Sequence, residues 1–150
     1  MSPTRTANGA RCLEWVSLCP HMGSAQKTLL QVLTCLTTET DPVCTIAPAD
    51  LRTMIYASPV GIGQRPKTIS ASGLLRLLRA LATLQQITRP AGTPLTFSSH
   101  ANAQLRAIPI RVWRYPRHGC GCPWTADDAL AIAQGRPPRF APAASEPVHP

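Results

Sequence analysis

Two arginines and two hydroxyl residues follow one another at helical spacing in the stretch from Thr68 to Gln85. At 100° per residue, one side of the predicted helix carries Ser72, Arg76, Arg79 and Thr83. A guanidinium group can bind guanine through two hydrogen bonds or neutralise a backbone phosphate. The stripe therefore predicts a surface that contacts nucleic acid. The alternative interpretation is an ordinary solvated helix face.

A second group of residues at the other end of the chain suggests metal chemistry. His118, Cys120 and Cys122 alternate with glycine, and zinc prefers four nitrogen and sulfur ligands. The C-x-C spacing differs from the usual C-x₂₋₄-C pair, and only three ligands lie together. A fourth ligand would come from a distant segment, with three candidates: Cys12, Cys19 and His21. Two alternatives are reactive thiols and an inert turn, so no cofactor is required.

The sequence contains few residues that could carry out acid–base catalysis. Only seven carboxylates occur in 150 residues, and none lies between Leu51 and Ala126. General acid–base work commonly uses a pair of carboxylates or a carboxylate with histidine. No phosphate-binding loop, nucleophile elbow or metalloprotease motif occurs either. We therefore expect a protein that is not an enzyme.

The basic residues are concentrated in the middle of the chain. The net charge is +8, yet the stretch from Leu51 to Ala126 has ten basic residues and no acid. The ten are Arg52, Arg65, Lys67, Arg76, Arg79, Arg89, Arg106, Arg111, Arg114 and Arg117. A basic block attracts polyanions, and nucleic acid is the first candidate. The alternative is that the charge serves solubility.

Amphipathic patterns predict the helices that position these residues. The apolar side of the helix in 68–85 consists of Leu74, Leu77, Leu78, Leu81 and Leu84, with Ser70 or Thr68 as N-cap. An earlier helix starts at Ser24 and buries Leu29, Val32, Leu33 and Leu36, with Cys35 expected to be buried. A short helix starts at Pro48 and buries Leu51, Met54 and Ile55. Residues 58–67 then form a link of about ten residues.

Strands are predicted after the basic helix. Residues 86–89 and 95–98 flank a Pro/Gly turn and predict a hairpin with Arg89 near its tip. Ile108, Ile110 and Val112 alternate with Arg111 and predict a third strand. Farther on, Thr125 can cap a short helix that ends at Gly135. The predicted divisions are an N-terminal extension (1–22), a main domain (23–115), a Cys/His turn with a short helix (116–135) and a Pro-rich tail (136–150).

The order helix, helix, basic helix, hairpin resembles the winged helix-turn-helix of bacterial regulators and of plasmid and phage accessory proteins. The resemblance covers about 24–99 and rests on S-A-S-G-L-L-R-L-L-R-A-L at 70–81. It implies a mainly α fold with a small β wing, in the α+β class. It also implies that DNA is contacted by Ser70, Ser72, Arg76 and Arg79, with Arg89 on the wing. Arg65 and Lys67, in the basic link before the helix, are further expected DNA contacts. The link before the basic helix is longer than the three or four residues of a compact helix-turn-helix.

The expected function is sequence-specific binding of double-stranded DNA, by a transcriptional regulator or an accessory replication factor. A homodimer is a possible form. No apolar run reaches the roughly 18 residues of a membrane span and no signal peptide is evident, so a cytoplasmic, nucleoid-associated protein is expected. The main alternative is a protein–protein adaptor whose basic surface binds an acidic partner. RNA binding comes third, because the chain lacks an aromatic-rich β surface.

Overall fold

The computed structural model describes residues 14–97, 107–118 and 125–137. Within these ranges the chain forms five helices and three strands, so the α+β class is confirmed. The helices are α1 (described part 14–18), α2 (Ser24–Cys35), α3 (Pro48–Arg52), α4 (Ala71–Thr83) and α5 (Ala126–Ala133). The strands are β1 (Val43–Ile46), β2 (Ile87–Thr88) and β3 (Ile108–Val112).

Helix α4 forms where its sequence predicts it. The Ser70 hydroxyl accepts a hydrogen bond from the Gly73 backbone N–H, which gives the helix a side-chain N-cap. Gly73 is needed for packing, since a Cβ there would come within 2.8 Å of Ile69 Cγ1. At the C-terminal end, Gln85 takes a positive φ of 61°, and the Gln86 N–H bonds to the Leu81 carbonyl. This closing turn is a Schellman motif that uses glutamine where glycine is usual.

Helices α1 and α2 supply much of the remaining core. Trp15, Val16 and Cys19 are buried in or just after α1, a segment whose sequence did not decide between helix and strand. The buried face of α2 differs in part from the prediction. It consists of Leu29, Leu30, Leu33 and Thr34, whereas Leu36 and Cys35 are exposed. Thr34 can lie on the buried face because its hydroxyl donates to the Leu30 carbonyl inside the helix.

The three strands form one antiparallel sheet in the order β1–β3–β2. Strand β3 is confirmed, with Ile110 and Val112 buried and Ile110 opposite Cys44 of β1. The predicted hairpin is wrong, because β2 pairs with β3 and residues 93–97 form no strand. The turn itself is present, with the Gly92 N–H bonded to the Arg89 carbonyl. Residue 98, the end of the predicted second hairpin strand, lies outside the described residues.

The connection between α3 and α4 runs from residue 53 to residue 70, longer than the predicted link. It starts and ends as a narrow ladder, in which Tyr56 pairs with Thr68 and the Ala57 N–H bonds to the Lys67 carbonyl. Helix α3 begins at Pro48 as predicted, and Leu51 is buried. Met54 is more than one-third exposed, which contradicts its predicted burial, because the chain has already left the helix there.

Helix α5 confirms the predicted short C-terminal helix. The Thr125 hydroxyl accepts from the Asp128 N–H at its start, and Gly135 has a φ of 75° just after its end. Its N-terminus contacts α1, where the Glu14 carboxylate accepts from the Ala126 N–H. The predicted tail lies outside the described residues beyond residue 137.

Candidate nucleic-acid interface

The exposed face of α4 is the predicted one. Four side chains of this helix lie at the surface: Ser72, Arg76, Arg79 and Thr83. The opposite face buries Leu74, Leu75, Leu77, Leu78 and Leu81, while Leu84 is half-buried. Burial of Leu75 was not predicted, since it lies at the edge of the apolar arc. The leucines fix the helix to the core by one face and leave the arginines in solvent.

Arg76 and Arg79 differ in their surroundings. Arg79 Nη2 donates to the Phe97 carbonyl at 3.1 Å, so this side chain leans towards the segment after β2. That segment and the C-terminal half of α4 border a shallow groove, with Thr83 on one wall and Leu95 on the other. Arg76 is exposed, and within the described residues no hydrogen bond or ion pair engages its guanidinium group. Arg76 is therefore the more available donor.

The N-terminal end of α4 combines hydroxyl groups with the unpaired N–H groups of a helix start. The Ser70 and Ser72 hydroxyl oxygens lie 3.3 Å apart, and both residues are exposed. Helix N-termini attract anions, because the backbone N–H groups and the helix dipole point outwards there. Ser70 has a structural task as the N-cap, whereas Ser72 has a hydroxyl that can reorient towards a ligand.

Arg65 and Lys67 lie on the exposed loop that leads into α4. The tip of the loop is a tight turn, where the Gln64 N–H bonds to the Gly61 carbonyl and Gly63 has a φ of 88°. That conformation suits a type II turn, which favours glycine at its third position. It displays Ile62 completely to solvent at the loop tip. Arg89, the last predicted contact residue, is exposed at the turn after β2.

Four other arginines of the basic block make hydrogen bonds or ring contacts within the protein. Arg114 Nη2 lies 3.0 Å from the Thr34 carbonyl and 2.7 Å from the Thr37 carbonyl, at the C-terminal end of α2. Arg52 Nε donates to the Ile69 carbonyl at 3.0 Å. These arginines donate to backbone carbonyls at a helix end and in a loop, where the regular i+4 helical donor is missing.

The other two arginines stack on one aromatic ring. The guanidinium carbons of Arg111 and Arg117 lie 4.0 and 3.9 Å from the centre of the Trp113 ring. Such cation–π contacts are each worth about 0.5–2 kcal/mol. The alternation of arginine with aromatic residues at 111–117 is a sequence signal for these contacts, and counting charge alone overlooks it. The basic block therefore divides into outward-facing and inward-facing arginines.

The structure brings His118 together with two of the three distant metal-ligand candidates. Cys19 Sγ lies 3.3 Å from His118 Nε2 and 3.8 Å from His21 Nδ1. Burial, and after it the charge of His21, lowers the pKa of the His118 ring. The predicted ligands Cys120 and Cys122, and the candidate Cys12, lie outside the described residues.

Comparison with known proteins identifies no relative. No family model, no curated protein and no solved structure matches this chain. Among the described residues, no helix combines the length and the apolar character that crossing a membrane requires.

Proposed function

We propose that this protein binds double-stranded DNA through the exposed face of α4. The observation that carries the proposal is the division of this helix, with five buried leucines opposite exposed Arg76 and Arg79. A recognition helix needs one face fixed to its domain and another that reaches base edges. Helix α4 has both, and its first turn adds Ser72 near a helix N-terminus that attracts phosphate.

The surrounding architecture supports a winged helix-turn-helix. Helices α2 and α3 precede α4 and contact it, and a small antiparallel sheet completes the described fold. The described residues 89–97 after β2 would act as the wing, with Arg89 at their first turn. Arg65 and Lys67 would contact phosphates beside the N-terminal end of α4. Transcription regulation and a part in replication are both consistent with such a domain, which would act in the nucleoid.

Arg76 and Arg79 receive different roles in this proposal. Arg76 is nearer the N-terminal half of α4, which a recognition helix inserts deepest, and its guanidinium group is available to a base. Arg79 is already hydrogen-bonded to the Phe97 carbonyl, so it suits a contact with a fixed phosphate. Base contacts specify the sequence and phosphate contacts supply position and affinity.

A binding selection on randomised duplex DNA tests these roles. We expect Arg76→Ala to cost about 1–3 kcal/mol on the preferred site and to flatten the preference at one base position. Arg79→Ala should lower affinity for all sequences and keep the preference. Arg136→Ala is the matched control, because it removes the same charge from an exposed position after α5. Circular dichroism verifies that each variant folds.

Unchanged preference in both α4 variants would contradict sequence reading by this helix and leave only non-specific binding. Absence of duplex binding at about 50 mM salt, where phosphate contacts are strong, would remove the DNA proposal altogether.

The second candidate function is a protein–protein adaptor, and the loop before α4 favours it. Ile62 is fully exposed, and Tyr56, Val60 and Met54 are each exposed by more than a third. Scattered apolar residues are normal at a surface, but contiguous ones often mark a contact with another protein. With Arg65 and Lys67 on the same loop, such a contact would suit an acidic partner. The duplex-binding measurement separates the two functions.

A further inference from the structure

We propose that Cys19, His21 and His118 form a zinc site that joins the end of α1 to the segment after β3. This inference goes beyond DNA binding and stands on its own geometry. The three ligand atoms, one thiol sulfur and two imidazole nitrogens, all lie within 4.8 Å of one another. Cys19 and His118 are 99 residues apart in the sequence, so a shared ion would cross-link distant parts of the fold.

The spacing of the ligand atoms fits a tetrahedral zinc ion. Bonds of about 2.3 Å to sulfur and about 2.0 Å to nitrogen place those two ligand atoms about 3.5 Å apart. The observed Sγ–N distances, 3.3 Å to His118 and 3.8 Å to His21, lie on either side of that value. The two imidazole nitrogens lie within 4.8 Å of each other, compared with about 3.3 Å around a tetrahedral ion, so the exposed His21 side chain would move towards the ion on binding. The three ligands leave one coordination position for a water molecule or a further side chain.

Gln86 fixes the His118 ring in the form that binds a metal. Gln86 is fully buried, and its Nε2 donates to the carbonyls of Trp113 and Tyr115. Its Oε1 is therefore the acceptor that faces the Arg117 N–H and His118 Nδ1, the latter at 3.0 Å. His118 Nδ1 must then carry the proton, and Nε2 presents its lone pair towards Cys19. Metal-binding histidines commonly donate their second ring N–H to an oxygen acceptor in this way.

The environment of Cys19 suits a structural ligand better than a nucleophile. The side chain is fully buried, whereas reactive cysteines need access for a substrate. The His21 backbone N–H lies 3.4 Å from Cys19 Sγ, where it can stabilise the negative charge of a thiolate. His21 is itself exposed, which gives an ion a path from solvent. A thiolate with two imidazoles is a ligand set that zinc prefers, whereas magnesium, calcium and manganese prefer oxygen ligands.

Metal content and cobalt spectroscopy test this proposal on the full chain, without DNA. We expect one equivalent of zinc to remain after removal of loosely bound metal. Substitution by Co²⁺ should give a thiolate-to-cobalt charge-transfer band and the strong visible bands of tetrahedral cobalt. Zinc should also raise the melting temperature of the wild-type protein, because the ion binds the folded state preferentially.

Cys19→Ser should abolish the charge-transfer band, and Cys35→Ser should keep it, because Cys35 is exposed on α2 and is not among the clustered ligands. His21→Ala is the variant that tolerates folding best, since the side chain is exposed, and it should weaken Co²⁺ binding at least tenfold. Absence of stoichiometric metal in the wild type would overturn the proposal. So would wild-type cobalt affinity and spectra in folded Cys19→Ser and His21→Ala, which would show that the contact between Cys19 and His118 is a hydrogen bond and not a shared metal site.

Discussion

Two basic regions of this molecule use the same residue type in opposite ways. The arginines of α4 extend from a helix whose other face is buried, and Arg76 meets only solvent within the described residues. The arginines of 111–117 fold back onto the protein, where Arg114 holds the end of α2 and Arg111 stacks on Trp113. Net charge therefore overstates the surface that is available to a polyanion. Only the outward-facing group is expected to contribute to DNA affinity.

The salt dependence of duplex binding measures this division directly. The five exposed residues Arg65, Lys67, Arg76, Arg79 and Arg89 would release about 0.9 counterions each, which gives a log–log slope of about −4.5. Affinity should then fall about 500-fold between roughly 50 and 200 mM salt. Arg106 lies outside the described residues and adds at most about one further contact. Fluorescence anisotropy with a labelled duplex gives the slope.

Participation of all ten basic residues would give a slope near −9 at the same rate per phosphate. That result would contradict the division into outward-facing and inward-facing arginines, because the arginines of 111–117 would have to leave their internal contacts on binding. A flat dependence would instead remove the DNA proposal.

The inward-facing arginines should matter more for the stability of the fold than the outward-facing ones, the reverse of their expected roles in DNA binding. Arg114→Ala removes a charged donor from the carbonyls of Thr34 and Thr37, so we expect the free energy of unfolding to fall by about 2–3 kcal/mol. Arg76→Ala is the matched control and should change it by less than about 0.5 kcal/mol, since its side chain is exposed. Urea denaturation followed by circular dichroism gives both values. Equal losses in the two variants would contradict the division into structural and exposed arginines.

Local signals in the sequence were enough to predict α4, α3, α5 and β3. In α4 the apolar period, the polar stripe and the Ser70 cap all lie within one short stretch. Strand β1 was not predicted, because its four residues carry little alternation and its partner β3 is more than 60 residues away in the chain. The hairpin prediction failed because the true partner of β2 is likewise distant in the sequence. Strand β3 offers β2 a better partner, with Ile87 opposite Val112, than residues 95–97 do.

The candidate sites could be predicted to different extents. The exposed face of α4 follows from its period alone, so each predicted contact residue on it lies at the surface. The internal tasks of Arg114 and Arg111 depend on tertiary contacts that no local pattern encodes. Cys19 and His21 could be named as candidates from residue type. Their meeting with His118 depends on how α1 packs and on buried Gln86, whose role gave no sequence signal.

The smallest predicted effect concerns the turn at Gln85 and Gln86, which connects the end of α4 to the inward-facing region. Gln85 ends α4 in the left-handed conformation, at a φ of 61°, and Gln86 then enters the core to bind the carbonyls of Trp113 and Tyr115. Non-glycine residues are strained in this conformation, so Gln85→Gly should stabilise the protein by about 0.5–1 kcal/mol. Gln85→Ala keeps the strained backbone and should give no gain in stability.

Because the exposed face of α4 is unchanged, duplex affinity should stay constant in both variants. Thermal and urea denaturation check the difference between them. A loss of stability in Gln85→Gly would mean that contacts of the glutamine side chain stabilise this turn more than its backbone conformation destabilises it. A change in duplex affinity would mean that the inward-facing region helps to set the position of α4.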